Sequence, residues 1–543
     1  MAEHWYKNAL IYCLDVRTFA DGNGDGIGDF DGLRSRLHYL AGLNIDAVWL
    51  QPFFPSPLRD NGYDISDYYS VDPSLGTLGD FVECVRQARN LGIRVMVDLV
   101  VNHTSIDHPW FQAARTDPSS PYRDYYVWSP TRPPDADQGM VFEGEQRTTW
   151  SWDEQAGAYY YHRFYHHEPE LNIANPAVRR EIEKITGFWL QLGVSGFRVD
   201  ALPFVIEMKG APPGRREQSH EYLRELRHHV QTLCGEVCLM AEANLPPEEV
   251  EDYFGQGDKI HMCFNFWANQ HLFLALARGQ AEPLLRAYRQ LPPIPPLCQW
   301  NNFLRTHDEL DLGRLSQAQR QEVFEAFGPQ PQMQLYGRGI RRRLAPMLGN
   351  DRRRLELAHS LMLTLPGTPV LRYGDEIGMG DDLSLEGRNS VRTPMQWSAE
   401  RNGGFSTAPP RQCYLPVIAE GEYGYRTVNV ERQRRDPDSL LDWLERMLRR
   451  RKEYRQFGEG ACSWLDSGRP EVLAHRLEHG GRSLVLLHNL SAGEVPVSLP
   501  VEAIDGCNHD ILSDRYCEAP REGRLHMQME PYGYHWLERH ERT

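Results

Sequence analysis

Residues 93–101 read Ile-Arg-Val-Met-Val-Asp-Leu-Val-Val, and Asn102-His103 follow. The run is apolar with no alternation, which marks a strand buried on both faces and hence a parallel sheet. The Leu78–Leu91 segment before it has helical spacing. The same strand-then-helix unit recurs on both sides. Upstream lie Asn8–Asp15, a helical Phe30–Gly42, and Ile45–Gln51. Downstream come helical Ala177–Leu192, strand Gly196–Asp200, helical Ser219–Thr232, strand Val237–Glu242, and weaker strands Met262–Phe266 and Phe303–His307. Helical Arg352–Leu365 and strand Pro369–Tyr373 close the series. Eight strands, each with helical material after it, fit a (β/α)8 TIM barrel of the α/β class. An open doubly wound sheet is the alternative. The barrel is favoured because polar residues gather at the strand ends: Asp15, Gln51, Asp98 to His103, Asp200, Glu242, Asn265, Asp308, and Asp375 with Glu376. Barrel enzymes place their chemistry at the C-terminal strand ends.

Two regions break the alternation. From Asn102 to about Leu171 the chain is rich in Pro, Trp, Tyr and Asp, with weak periodicity, and is too long for an ordinary loop. This predicts a subdomain inserted after the third strand. After Tyr454 no long helix follows; Val472–Arg476, Ser483–Asn489 and Gly533–Leu537 read as β, which predicts a C-terminal antiparallel β-sandwich. The expected division is residues 1–102 for the first part of the barrel, 103–171 for the inserted domain, 172–454 for the rest of the barrel, and 455–543 for the sandwich.

Composition excludes several classes. With 41% hydrophobic and 25% charged residues the chain is globular. A net charge of −16 disfavours nucleic acid and anionic membrane as partners. No stretch reaches the roughly 18 uncharged apolar residues of a membrane span. The ten cysteines are scattered without a CxxC pair and read as reduced thiols, which places the protein in the cytoplasm. Whether copies of the chain associate is left open.

The chemistry sits in short stretches. Gly196-Phe197-Arg198-Val199-Asp200 ends the fourth strand with an arginine two residues before a carboxylate, so both side chains point the same way. A cation beside an acid lowers its pKa, which suits a nucleophile and predicts an ionised Asp200. Glu242 ends the fifth strand in an apolar run, which raises an acid's pKa and suits a proton donor. Thr306-His307-Asp308 adds a third carboxylate. Any one of these would pass as a surface loop charge. Together, at neighbouring strand ends, they form the paired-carboxylate apparatus of glycoside hydrolysis.

Asp98-Leu99-Val100-Val101-Asn102-His103, Gly196-Phe197-Arg198-Val199-Asp200, Glu242 and His307-Asp308 stand in the order found in the alpha-amylase superfamily, glycoside hydrolase family 13, which the chain resembles over roughly residues 5–540. That resemblance implies Asp200 as nucleophile, Glu242 as acid/base and Asp308 as the carboxylate that fixes the distorted sugar. It further implies Arg198, His103, His307, Asp60, Tyr63 and Arg392 as substrate-binding residues. Ala201-Leu202-Pro203 after the nucleophile is similar to α-1,4-acting members. Gly339–Arg354, Ala241-Glu242-Ala243-Asn244 and Asp375–Asp381 look most like the trehalose synthases of the family, the maltose glucosylmutases. The implied activity is interconversion of the disaccharides maltose and trehalose by intramolecular transglucosylation. The alternative is an α-1,4-glucosidase acting on maltose or short malto-oligosaccharides. Two stretches depart from the family pattern: Glu168-Pro169-Glu170-Leu171-Asn172 replaces a usual Gln-Pro-Asp-Leu-Asn, and Arg372 replaces a common Tyr. A non-catalytic, membrane-anchored member is excluded by the retained carboxylates.

A cation is also expected, with no organic cofactor. Asp21, Asn23, Asp25, Ile27 (by its carbonyl) and Asp29 alternate with other residues at the spacing of a calcium loop, but Gly32 stands where an EF-hand needs Glu. The expected ion is Ca²⁺, in a structural role. The resemblance adds a second site with Asn102, Glu170 and Glu207 as ligands, along with backbone oxygens near Phe204. Arg341–Arg343 and Arg352–Arg354 read as interface or salt-bridge residues, and His166-His167, without a third zinc-spaced ligand, as structural.

Overall fold

The computed structural model describes residues 4–210, 216–518 and 520–539. Its first strands are β1 (Ile11–Leu14), β2 (Ala47–Leu50) and β3 (Arg94–Leu99). A three-stranded antiparallel sheet follows, β4 (Trp128–Ser129), β5 (Trp150–Asp153) and β6 (Ala158–Tyr161), in the order β4-β6-β5. This is the inserted subdomain. The barrel resumes with β7 (Gly196–Val199), β8 (Cys238–Ala241), β9 (Met262–Phe264) and β10 (Gln299–Phe303). A small sheet, β11 (Leu310–Asp311), β12 (Gln334–Leu335) and β13 (Gly339–Ile340), interrupts before β14 (Thr368–Arg372). The eight strands β1, β2, β3, β7, β8, β9, β10 and β14 close into a barrel with every pairing parallel, as expected.

Local chemistry explains the helices between them. Helix Leu78–Asn90 starts at a Thr77/Asp80 capping box and Gln317–Phe327 at a Ser316/Gln319 box, while Pro176–Gln191 has Asn175 at its N-cap and Pro at its first turn. The expected single helix over Phe30–Gly42 is two, Phe30–Ser35 and Leu37–Gly42. Arg36 breaks it at φ −107°, ψ 1°.

Two strands differ from expectation. The sixth stops at Phe264, because Asn265 turns its side chain to cap the next helix through Ala268 N–H at 3.0 Å. The seventh is Gln299–Phe303, not Phe303–His307. Its polar residues are held by long-range bonds such as Asn302 Nδ2 to the Leu365 carbonyl at 3.0 Å.

The barrel interior is filled by Ile11, Trp49, Met96, Met240, Phe264 and Phe303, all buried. Above that layer the inward positions turn polar, and register sets Arg198 level with Asp98 on β3 and Met240 on β8. The C-terminal strands are β15 (Ala461–Leu465), β16 (Val472–His479), β17 (Arg482–Asn489), β18 (Val495–Pro500), β19 (His509–Asp510), β20 (Arg515–Tyr516), β21 (Arg524–Met529) and β22 (Tyr534–Glu538). They form one six-stranded antiparallel sheet and the β18–β21 pair, facing each other over Val485, Val497 and Leu525. On β18, buried residues alternate with exposed and half-exposed ones, as a one-sided strand requires. Ser360 joins this unit to the barrel, bonded to His488 at 2.9 Å and accepting from Trp536 Nε1 at 3.0 Å.

Candidate active site

The end of β7 organises the barrel mouth. The Arg198 guanidinium is 1% exposed and serves three carboxylates: Nη1 donates to Asp98 at 2.8 Å and to Asp200 at 2.6 Å, and Nη2 donates to Glu242 at 2.5 Å. Burial opposes its charge, but Asp98 and Glu242 hold it firmly protonated. Asp98 also accepts from Trp49 Nε1 at 3.3 Å and from the Tyr63 hydroxyl at 3.1 Å.

After Asp200 the chain turns at Ala201, whose φ of 47° is left-handed, a conformation uncommon for a residue with a Cβ. The turn aims the Ala201 N–H at Glu242 Oε2, 3.4 Å away.

The electrostatics correct one expectation. Arg198 pulls the Asp200 pKa down, but not below its ordinary value. Burial outweighs the arginine, and with Asp98 and Asp308 nearby its pKa is pushed up to about 6. Glu242 rises further, to about 7, through burial and the charges of Asp200 and Asp308. Both acids are therefore moved upward, by burial first, and the expected opposite shifts are not found. Asp308 goes the other way. Burial would raise it, but the guanidinium groups of Arg388, Arg392 and Arg198 hold it well below the usual carboxylate range. Arg392 Nη2 donates to Asp308 at 2.8 Å, and Arg388 Nη1 lies 3.2 Å from it. His307 and the Tyr63 hydroxyl bond at 2.8 Å, and burial drives the imidazole pKa well down, so it is neutral. His103 is likewise neutral, pushed to about 4 by burial.

A cleft of about 860 Å³ opens over these groups. Of the residues expected at the site, Asp60, Tyr63, His103, Asp200, Glu242 and Asp308 are on its wall. Arg198, His307 and Arg392 are buried behind the carboxylates. The cleft also has residues that sequence reading missed. Glu309 accepts from Arg388 Nε at 2.7 Å, and Arg388 lies 5.1 Å from the Phe142 ring centroid and 5.5 Å from that of Tyr336. Phe142, from the inserted subdomain, stacks on Tyr165 at 4.6 Å and meets Tyr336 at 4.9 Å. Arg338 Nη1 donates to the Val141 carbonyl at 2.8 Å. The inserted subdomain thus reaches across the mouth to the segment around β12 and β13. Glu309 could have been found as the polar residue after His307-Asp308; Phe142, Tyr336 and Arg388 carry no local signal.

The expected cation residues fall in two places. In the loop after β1, Asp21 accepts from Gly24 N–H at 2.6 Å and Gly26 N–H at 2.8 Å, Asn23 from Asp25 N–H at 2.9 Å, and Asp25 from Ile27 N–H at 2.8 Å. Asp29 binds the Gly22 and Asn23 amides. Among the described residues no three His, Cys, Asp or Glu side chains converge as a metal cluster. The donor set at this loop is oxygen only, the chemistry a hard cation takes. At the second place, Asn102 Oδ1 is buried without a partner. Burial pushes the neighbouring Glu170 carboxyl up to about 8, and among the described residues a long 3.5 Å bond from Asn102 Nδ2 is the one hydrogen bond to that carboxyl. Those two fit a cation. Glu207 does not join them, because it gives its carboxylate to Arg163.

Two adjacent acids of unlike pKa, one ionised and one protonated near neutrality, can attack and protonate across a single bond. Comparison with known proteins agrees. The alpha amylase catalytic domain matches residues 13–315 and 337–460. The trehalose synthase of Thermus thermophilus is 46% identical over 534 residues, 98% of this chain and 55% of its own length, so this chain spans little over half of that relative. The trehalose synthase/amylase TreS of Mycobacterium tuberculosis (strain ATCC 25618 / H37Rv) is 42% identical over 543 residues, covering 98% of this chain and 90% of that one. The crystal structure of alpha-amylase from H. orenii superposes with a TM-score of 0.80 at 27% identity, over 98% of this chain and 100% of that one. The closed parallel barrel, the carboxylates gathered at its mouth and these matches together assign the chain to the alpha-amylase family.

Proposed function

We propose that this protein is a retaining glucosyl isomerase that interconverts maltose and trehalose through a covalent glucosyl-enzyme. The observation that carries the retaining chemistry is that one guanidinium holds both acids. Arg198 donates Nη1 to Asp200 at 2.6 Å and Nη2 to Glu242 at 2.5 Å. Inverting enzymes hold their carboxyls roughly 6.5–9.5 Å apart to admit a water, whereas retaining pairs sit at roughly 5 Å. A single guanidinium bonded to both acids draws them together, which suits the shorter, retaining spacing.

In the proposed reaction Asp200, ionised above about pH 6, attacks the anomeric carbon. Glu242, protonated below about pH 7, gives its proton to the departing glycosidic oxygen. Asp308, kept anionic by Arg388 and Arg392, grips the distorted ring. Glu242, now a base, takes the proton of the anomeric hydroxyl of the released glucose, which re-attacks the glucosyl ester. Two displacements retain the α configuration. The released sugar must be held while water is kept out. The Phe142–Tyr336–Arg388 contact across the mouth suits that task. Relatives named trehalose synthase at 42–46% identity support the assignment of substrates.

The second reading, an α-1,4-glucosidase, is favoured by one observation: the name of the Mycobacterium relative couples synthase with amylase. Incubation with maltose separates the two. Trehalose as main product supports the isomerase; glucose alone supports the glucosidase.

We further propose a structural Ca²⁺ in the Asp21–Asp29 loop, held by Asp21, Asn23, Asp25, the Ile27 carbonyl and Asp29. Asn102 with Glu170 would hold a second. All ten cysteines are unpaired, which supports a reducing, cytoplasmic setting. Among the described residues no helix is long and apolar enough to cross a membrane.

A further inference from the structure

The Arg341-Arg342-Arg343 run has no place in the chemistry above, and each residue reaches one segment of chain, 373–391. Arg341 donates Nη1 to the Leu385 carbonyl at 2.7 Å and the Gly387 carbonyl at 3.1 Å, and Nη2 to the Leu383 carbonyl at 2.9 Å. Its Nε donates to the Gln332 carbonyl at 2.7 Å, and its own carbonyl accepts from Ser390 Oγ at 3.0 Å. Arg342 pairs with Asp381 at 3.1 Å. Arg343 is 1% exposed, pairs with Asp375 at 3.2 Å, and donates to the carbonyls of Tyr373 and Val391.

That segment has no regular structure beyond short turns. One backbone bond, Asp382 N–H to the Ser390 carbonyl at 2.9 Å, closes its loop at the base, and Arg341 meets the Leu383, Leu385 and Gly387 carbonyls inside it. Yet it carries Arg388 and leads into Arg392, the two arginines on Asp308. A guanidinium can serve several carbonyls from one rigid fork, as a lysine ammonium cannot.

We propose that Arg341, with Arg342 and Arg343 beside it, is a positioning residue that shapes the 383–391 loop so that Arg388 and Arg392 meet Asp308. Arg341 touches neither the cleft nor Asp308; it acts through Arg388. The groups facing Asp308 are Arg388, Arg392, His307 and Arg198, with Asp60, Asp200 and Glu242 as neighbouring acids. Moving Arg388 away weakens the main force that keeps Asp308 anionic.

The inference rests on Asp308 serving α-glucoside turnover, and its test does not need trehalose as the product. Arg341→Ala and Arg341→Lys are compared with wild type on maltose and on p-nitrophenyl α-glucoside, each well below its own melting temperature. A reacting group displaced by about 1 Å loses about 100-fold. The expected result for Arg341→Ala is a loss of that order in kcat with KM nearly unchanged. Millimolar guanidinium partly restores activity to Arg341→Ala alone, while the acid limb of kcat/KM, set by Asp200, stays in place. Arg341→Lys, which keeps the charge without the fork, shows a smaller loss of kcat at the same KM. A folded Arg341→Ala enzyme with wild-type kcat overturns the proposal. So does a loss of activity that guanidinium does not rescue, or one that falls on KM alone. If Arg341→Ala does not fold, Arg341→Lys decides on the split between kcat and KM. A wild type that makes glucose but no trehalose overturns the isomerase reading and leaves this comparison intact.

Discussion

Glu242→Gln should abolish activity and at the same time make the protein more stable in alkaline solution. The Glu242 carboxyl is pushed from 4.5 to about 7, first by burial and then by Asp200 and Asp308, with Arg198 pulling the other way. Its side chain is 26% exposed, so water screens it only in part. The sign follows from proton binding. Between about pH 4.5 and 7 the folded protein holds a proton here that the unfolded chain has lost, so stability falls as pH rises through that window. Above it the deficit is constant. Each pKa unit is about 1.4 kcal/mol, so keeping this acid ionised costs the fold about 3 kcal/mol. Glutamine has the shape of the protonated acid and never ionises. For a chain of 543 residues, unfolding entropy near 60 °C is about 1.1 kcal/mol/K, so the gain in melting temperature is about 3 °C at pH 8. At about pH 4, where the acid is protonated in both states, no gain remains. The assay is thermal unfolding of both proteins across pH, with turnover measured alongside. A variant no more stable than wild type at pH 8 refutes the reasoning. An equal gain at pH 4 and pH 8 does so too, since that would be packing and not ionisation.

Three further outcomes follow from the same structure. With Asp200 near 6 and Glu242 near 7, kcat/KM on an aryl α-glucoside should trace a narrow bell with its top between those values; a flat plateau from about pH 5 to 8 would contradict it. Asp21→Ala with Asp25→Ala should lower the melting temperature and leave kcat nearly unchanged, and a chelator should bring wild type down to the variant's value, because an ion that binds only the native state stabilises by mass action. Phe142→Ala removes the ring stacked on Tyr165 and facing Tyr336, so product analysis on maltose should show a several-fold rise in glucose relative to trehalose.

The barrel was legible because its strands are buried on both faces and its chemistry gathers at strand ends. Arg198-Val199-Asp200 and Glu242 declare themselves through an apolar run that stops at a charge. Gln299-Trp300-Asn301-Asn302-Phe303 did not look like a strand, since its polar side chains are satisfied by distant carbonyls that no local window contains. The upward shift of Asp200 is hidden for a related reason: the neighbouring arginine is visible in the sequence, and the depth of burial that outweighs it is not. Glu309 lies beside a recognised motif, but its partner Arg388 is 79 residues further on. Phe142 and Tyr336 stand nearly two hundred residues apart in the chain. Such contacts are products of the closed barrel, and only its closure brings them together.

The central claim is that glucose released from maltose is held at the Asp200 glucosyl ester and re-attacks it without leaving. The most direct test is to convert maltose in the presence of excess ¹³C-labelled free glucose and to weigh the trehalose formed. The account predicts trehalose as the main product, carrying no label. Trehalose labelled in one half in proportion to the free glucose, or glucose with no trehalose at all, would contradict it.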